Sequence, residues 1–168
     1  SNPNTTEFIQ KICKLEGAED GIATASGMSA IFTSMMPFLS SGDHIIVSRS
    51  VFGSTHQIVT QILPRWGIEY TYVDILDTAG WEKAFRKNTK MVFVETPSNP
   101  ALDMIDLAWL SGLCKSHNVL LNVDNCFATP YLQKPISFGA DIVMHSATKF
   151  IDGQGRTIGG VKKKKKEI

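Results

Sequence analysis

At 168 residues, with 43% hydrophobic and 20% charged side chains, the chain has the size and make-up of one ordinary globular domain. No stretch approaches the roughly 18 consecutive apolar residues of a membrane-spanning helix, and the polar start Ser1-Asn-Pro-Asn-Thr-Thr-Glu7 lacks the order of a secretion signal. Lys162–Lys166 hold five of the 17 basic residues, so the remaining 12 stand against 16 acidic ones, and a body of net −4 does not suit nucleic acid.

From the N-terminus, Asn4 with Glu7 resembles a capping box and Gly17 a C-cap, which predicts a first helix. A strand is expected at Gly21–Ala25, then a helix over Gly27–Leu39 that ends at Ser40-Ser-Gly-Asp43. His44–Ser48 reads as the second strand. Gly53–Trp66 follows as a helix with Ile58, Ile62 and Trp66 four residues apart, kinked or stopped early by Pro64. Further strands are expected at Glu69–Val73, Met91–Glu95, Val119–Asp124, Asp141–His145 and Thr157–Val161. Between them lie a short helix over Trp81–Lys87 and a longer one over Asp106–Asn118, with Leu107, Leu110 and Cys114 on one face.

Strands alternating with helices predict a doubly wound, mostly parallel α/β sheet of about seven strands. The apolar runs Met91–Val94 and Val119–Val123, the second broken only by Asn122, fit a sheet covered on both faces. One domain over residues 1–161 is expected, with 162–168 as a lysine-rich frayed or appended tail. Cys13, Cys114 and Cys126 are odd in number, widely spaced and set in apolar patterns, which suits the reducing cytoplasm better than a disulfide framework.

Ligands of such sheets bind at the carboxyl ends of the strands, and the polar clusters of this chain fall there repeatedly. Ser26-Gly27-Met28 follows the first strand, where backbone N–H groups at a helix start form either an anion seat or a plain N-cap turn. Phe52 follows the second, for core packing or for stacking on a planar ring. Asn99 lies in the rigid loop Pro97-Ser-Asn-Pro100 after the fourth, where a turn role is the alternative. Asp124-Asn125 closes the fifth strand, as a turn or as a ligand.

Ser146, Thr148 and Lys149 stand within one turn after the sixth strand. An amine held in a partly dry site can lose its proton and condense with an aldehyde. The neighbouring hydroxyls can hold a phosphate, and the Asp124 carboxylate one strand away can hold a protonated ring nitrogen. Aldehyde, phosphate and pyridinium together describe pyridoxal 5′-phosphate. Other chemistries find little support. Gly153-Gln-Gly155-Arg-Thr-Ile-Gly159 has the wrong spacing for a dinucleotide loop and precedes a strand. The four histidines lack metal-ligand spacing, and no nucleophile elbow is present.

Taken in order, Ser26-Gly-Met28, Glu95-Thr-Pro-Ser-Asn-Pro100, Val123-Asp-Asn125, Ala128-Thr-Pro130 and His145-Ser-Ala-Thr-Lys149 resemble the signatures of the Cys/Met-metabolism enzymes dependent on pyridoxal phosphate. Their fold is that of the aspartate-aminotransferase-like large domain, fold type I. Phe52-Gly-Ser-Thr55 with Ile151-Asp-Gly-Gln-Gly-Arg156 looks most like the O-succinylhomoserine or O-acetylhomoserine sulfhydrylase branch. Cystathionine γ-synthase, cystathionine γ-lyase and methionine γ-lyase belong to the same family.

The resemblance implies that Lys149 carries the cofactor as a Schiff base and shuttles protons, and that Asp124 pairs with the ring nitrogen. It gives the phosphate to Gly27 and Met28 through their N–H groups and to Ser146 and Thr148 through their hydroxyls. Phe52 would stack on the ring and Asn99 would lie near its phenolic oxygen. Many family members have Tyr where this chain has Phe52, so a hydroxyl role there is lost. The family's upstream Tyr and Arg, and its C-terminal domain with the carboxylate-binding Arg, have no counterpart in this sequence. The chain is therefore expected to be the cofactor domain of a longer homo-oligomeric enzyme, a dimer or tetramer, acting on a small amino-acid substrate; the alternative is a non-catalytic fragment that binds cofactor and turns nothing over.

Overall fold

Nearly all residues of the central strands are buried whichever way they point, because helices cover both faces of the sheet. The computed structural model describes residues 2–164. In chain order the elements are α1 (Pro3–Glu16), β1 (Asp20–Thr24), α2 (Gly27–Met35), β2 (His44–Ser48), α3 (Gly53–Gln57), β3 (Glu69–Val73) and α4 (Thr78–Ala84). They continue with β4 (Thr89–Glu95), α5 (Leu107–Ser116), β5 (Leu120–Asp124), α6 (Thr129–Leu132), β6 (Ile142–Ser146) and β7 (Gly160–Lys164). The seven strands form one sheet in the order β1-β7-β6-β5-β4-β2-β3, parallel from β6 to β3. β7 alone runs antiparallel to its neighbours, β1 and β6. The doubly wound, mostly parallel α/β sheet read from the sequence is therefore present.

Period-two alternation divides the core. Ile45, Val47, Met91, Phe93 and Met144 pack on one face against Ala30, Ile31 and Met35 of α2. Ile46, Val92, Val94, Val123 and Val143 pack on the other against Trp81 of α4 and Leu107, Leu110 and Cys114 of α5. The apolar stripe predicted for α5 is thus the buried one. No helix among the described residues is long and apolar enough to cross a membrane, and all three cysteines are buried.

Several local expectations are corrected. The cap of α1 is Asn2, whose side chain accepts from the Asn4 N–H, rather than Asn4 itself; Gly17 ends the helix at φ 72° as expected. The segment 53–66 remains helical but changes pitch twice. α3 gives way to a wide turn over Ile58–Ile62 and then a 3₁₀ turn over Leu63–Trp66. Pro64 has no N–H and its ring crowds the carbonyl one turn back, so regular α geometry cannot pass through it. The changed pitch rotates the buried face to Ile58, Val59 and Leu63, and leaves Trp66 47% exposed against Phe32.

The last strand starts three residues later than expected and takes in Lys162–Lys164. The lysine run is therefore not wholly a tail: residues 162–164 belong to the sheet, and 165–168 lie outside the described residues. Lys162 shows how a lysine fits there. Its ammonium donates to the Thr33 carbonyl and lies 5.9 Å from the Phe38 ring centroid, and partial burial lowers its pKa.

Candidate active site

Parallel register brings the carboxyl ends of β4, β5 and β6 level, and a cavity of about 200 Å³ opens there. Its lining includes every residue singled out above: Gly27, Met28, Phe52, Asn99, Asp124, Ser146, Thr148 and Lys149.

One wall is the start of α2. The Ser26 side chain caps the helix by accepting from the Ser29 N–H at 3.1 Å. The N–H groups of Gly27 and Met28 come too early in the helix to meet an intrahelical carbonyl. Ser146 lies against this turn so closely that a Cβ on Gly27 would stand 2.6 Å from Ser146 Cβ. Glycine is required because a strand end and a helix start converge on the same few ångströms. On the far side, Thr148 Oγ1 accepts from the Gly159 N–H at 3.1 Å, which anchors the turn after β6 to the approach of β7.

The floor holds two acids. Glu95 and Asp124 are register partners on β4 and β5, each 4% exposed. Asp124 Oδ1 accepts from the Cys126 N–H at 3.0 Å, and Glu95 Oε2 accepts from the Phe52 N–H at 2.7 Å. Burial pushes the Asp124 carboxyl well above the usual range, the Glu95 charge adds to this, and the Cys126 N–H opposes it. Burial likewise raises Glu95 to about 7 against the Phe52 N–H. No ion pair among the described residues includes either acid. The Cys126 thiol beside them is pushed up to about 12, by burial first and then by Asp124, so it is an inert wall.

Behind the floor runs a buried polar network. His145 Nε2 lies 2.6 Å from Glu16 Oε1, with both side chains fully buried. Asn125 Nδ2 donates to the same oxygen at 3.1 Å and to the Gln133 carbonyl at 2.8 Å. Gln133 Nε2 donates to Asn125 Oδ1 and to the Thr96 carbonyl. The last turn of α1 is thereby tied to residues directly adjoining Asp124 and Ser146. Sequence reasoning treated His145 as one of four scattered histidines and gave Glu16 no role.

The rim departs from expectation. Lys149 follows β6 in an irregular turn (φ −91°, ψ −124°) and is exposed, so the described residues do not supply the partly dry surroundings expected for its amine. Phe52 is 43% exposed, which favours its ring-facing reading over core packing. Glu95, Cys126, Phe127 and Met144 also line the cavity without having been proposed for it. Glu95 could have been found in its motif as an acid ending an otherwise apolar strand.

This donor set has a definite chemistry. N–H groups at a helix start beside hydroxyls suit a phosphate, buried acids with no cation of their own suit a cationic ring, and an amine at the lip suits an aldehyde. A family model described as Cys/Met metabolism PLP-dependent enzyme matches residues 1–168. O-succinylhomoserine sulfhydrylase of Pseudomonas aeruginosa is 53% identical over 161 residues, which is 96% of this chain and 40% of that protein. Cystathionine gamma-lyase of Bacillus subtilis is 45% identical over 161 residues, 96% of this chain and 42% of that one. A solved structure of a putative O-acetylhomoserine (thiol)-lyase from Campylobacter jejuni, with N′-pyridoxyl-lysine-5′-monophosphate, matches at TM-score 0.95 and 35% identity, over 99% of this chain and 41% of its own. The chain spans about two fifths of the length of the curated relatives it matches. It belongs to the Cys/Met-metabolism family of enzymes, whose cofactor is pyridoxal phosphate.

Proposed function

We propose that this chain is the cofactor-binding part of an enzyme that replaces the γ-acyl group of O-succinylhomoserine, or O-acetylhomoserine, with sulfide to give homocysteine. The observation that carries the reading is the meeting of all eight predicted site residues in one cavity. The choice of reaction leans on 53% identity to an O-succinylhomoserine sulfhydrylase.

Bound there, pyridoxal phosphate supplies an aldehyde for the Lys149 amine and a cationic ring that takes up negative charge. Asp124 accepts the hydrogen bond of the ring nitrogen and, as a carboxylate, keeps its proton in place. The N–H groups of Gly27 and Met28, with the Ser146 and Thr148 hydroxyls, hold the phosphate. Phe52 would lie over the ring and Asn99 near its phenolic oxygen. Lys149 would take the proton from the substrate Cα, give it up again, and then take one from Cβ. The γ-acyl group would leave as its carboxylate, sulfide would add at Cγ, and protons would return to Cβ and Cα.

Incubating the full-length protein with pyridoxal phosphate, O-succinylhomoserine and sulfide tests the reading, with homocysteine as the expected product. The 45% identity to a cystathionine gamma-lyase supports a second reading. Cleavage of cystathionine with no sulfide replacement would select it and reject the first. We also read the whole protein as a homo-oligomer, because Tyr131, Leu132 and Phe150 are 92%, 76% and 65% exposed on the side of the rim. Sedimentation over a concentration series checks this, and a monomer throughout would overturn it.

A further inference from the structure

We propose that Glu95 is a positioning residue for the cofactor: it fixes the loop that places Phe52 over the ring seat. The inference rests on the pyridoxal-phosphate reading above.

β4 lies between β2 and β5, so the end of β4 stands midway between the loop that follows β2 and the Asp124 seat on β5. Glu95 occupies that end, and its carboxylate accepts from the Phe52 N–H at 2.7 Å across 43 residues of sequence. Phe52 begins α3, yet no side chain caps this five-residue helix, which runs on into the wide turn at Ile58. The run that α3 opens is held in the core by Thr55, Ile58, Val59 and Leu63, and Val51 is buried just before it. The Phe52 side chain itself gives little anchorage, being 43% exposed. Between these anchors, the tie to Glu95 sets the height of the Phe52 turn above the floor. A short bond from a carboxylate to a backbone N–H is of the strong, charge-assisted kind. Glu95 is also too well placed to be a surface acid, since it is 4% exposed and lines the cavity.

A double-mutant cycle on the purified chain tests this, with pyridoxal 5′-phosphate as the probe. Glu95→Ala should weaken cofactor binding about tenfold. It should speed amide hydrogen exchange over residues 50–57 in the cofactor-free chain while β4 stays protected. Glu95→Gln, whose amide oxygen can still accept from Phe52, should stay within about threefold of wild type on both readouts. In a Phe52→Ala background, Glu95→Ala should cost nothing more.

Additive losses in the cycle, or unchanged exchange at residues 50–57, would overturn the proposal. So would a Glu95→Gln chain as weak as Glu95→Ala with its loop still protected, because Glu95 would then act through its charge beside Asp124. If Glu95→Ala does not fold, Glu95→Asp replaces it, since one methylene less breaks the reach while keeping the charge. A wild-type chain that binds no pyridoxal phosphate would reject the functional reading, and the exchange experiment would still decide whether Glu95 holds the loop.

Discussion

On the floor of the cavity, Glu95 and Asp124 are each 4% exposed, sit on adjacent strands and accept from backbone N–H groups at 2.7 and 3.0 Å. At the rim, Phe52 is 43% exposed and Lys149 is open to solvent in an irregular turn. Both regions belong to one site, but strand pairing builds the first and loops build the second. The floor is set by register, and a one-residue slip would turn both acids to the opposite face of the sheet. At the rim, Phe52 is tied to the sheet through its N–H bond to Glu95, whereas Lys149 lies in a turn outside the strand pairing. The floor should therefore govern how strongly the ring is held, and the rim should govern chemistry at the aldehyde.

The largest effect that can test this division is expected at the rim. Lys149→Ala should lower turnover of the full-length protein by at least about 10²–10⁴, the range of a lost acid–base group, while leaving the fold intact. Borohydride reduction of the wild-type protein with pyridoxal phosphate, followed by peptide mapping, should label Lys149. A label confined to other lysines would remove the rim from the chemistry.

The matching change on the floor is Asp124→Asn. It keeps an acceptor for the Cys126 N–H but removes the charge, so it isolates the electrostatic part of the seat. The expected cost to pyridoxal phosphate affinity is about 1.5–3 kcal/mol, roughly ten- to hundredfold. A fluorescence titration reads it. Undiminished affinity would reduce Asp124 to a turn residue and erase the contrast between floor and rim.

How far each region was legible in the sequence follows the same division. The strands showed themselves as apolar or β-rich runs: His44–Ser48, buried throughout, and the less buried edge strand Glu69–Val73 fall where periodicity puts them, and Asp124 ends its strand as expected. Contacts between distant segments left no such trace. Nothing in the spacing of Glu16 and His145 reports that their side chains meet 2.6 Å apart. The Asn125 and Gln133 side chains that extend that network were equally silent. The lysine run misled because composition alone suggests solvent, whereas the backbone of residues 162–164 pairs with β1 and β6. The exposure of Lys149 was hidden as well, since a motif gives the order of residues and not the cover above them.

Where floor and rim touch, the contrast can be sharpened by Gly27→Ala. The added Cβ would meet Ser146 Cβ at 2.6 Å and Oγ at 2.9 Å, and both the strand end and the helix start are fixed by the sheet. Overpacking of this kind costs about 1–3 kcal/mol of stability. Denaturant midpoints should show the loss, and Ser146→Gly in the same chain should recover much of it, because it removes the atoms in the way. Recovery would locate the strain at this contact, and its absence would place it elsewhere.

The last comparison concerns the floor acids without cofactor. Burial raises Glu95 from 4.5 to about 7, and Asp124 is raised well above 3.8 by burial and by Glu95. The groups facing this pair are the Cys126 thiol, neutral at these pH values because its pKa lies near 12, and the Lys149 amine at the lip. An acid whose pKa is raised on folding binds its proton more tightly in the folded chain. Its stabilising contribution is complete below the unfolded value and disappears as pH rises through the folded one. For Glu95 that window runs from about pH 4.5 to about pH 7. The cofactor-free chain should lose stability across it by at most about 1.4 kcal/mol per pH unit for each proton involved. Glu95→Gln removes one titrating group and relieves Asp124 of a neighbouring charge, so its stability profile should be flatter from pH 5 to pH 7. Urea midpoints at half-unit steps, with an unchanged denaturant dependence, make the comparison direct. A variant profile as steep as wild type would mean that Glu95 does not carry the pH dependence of stability across this window.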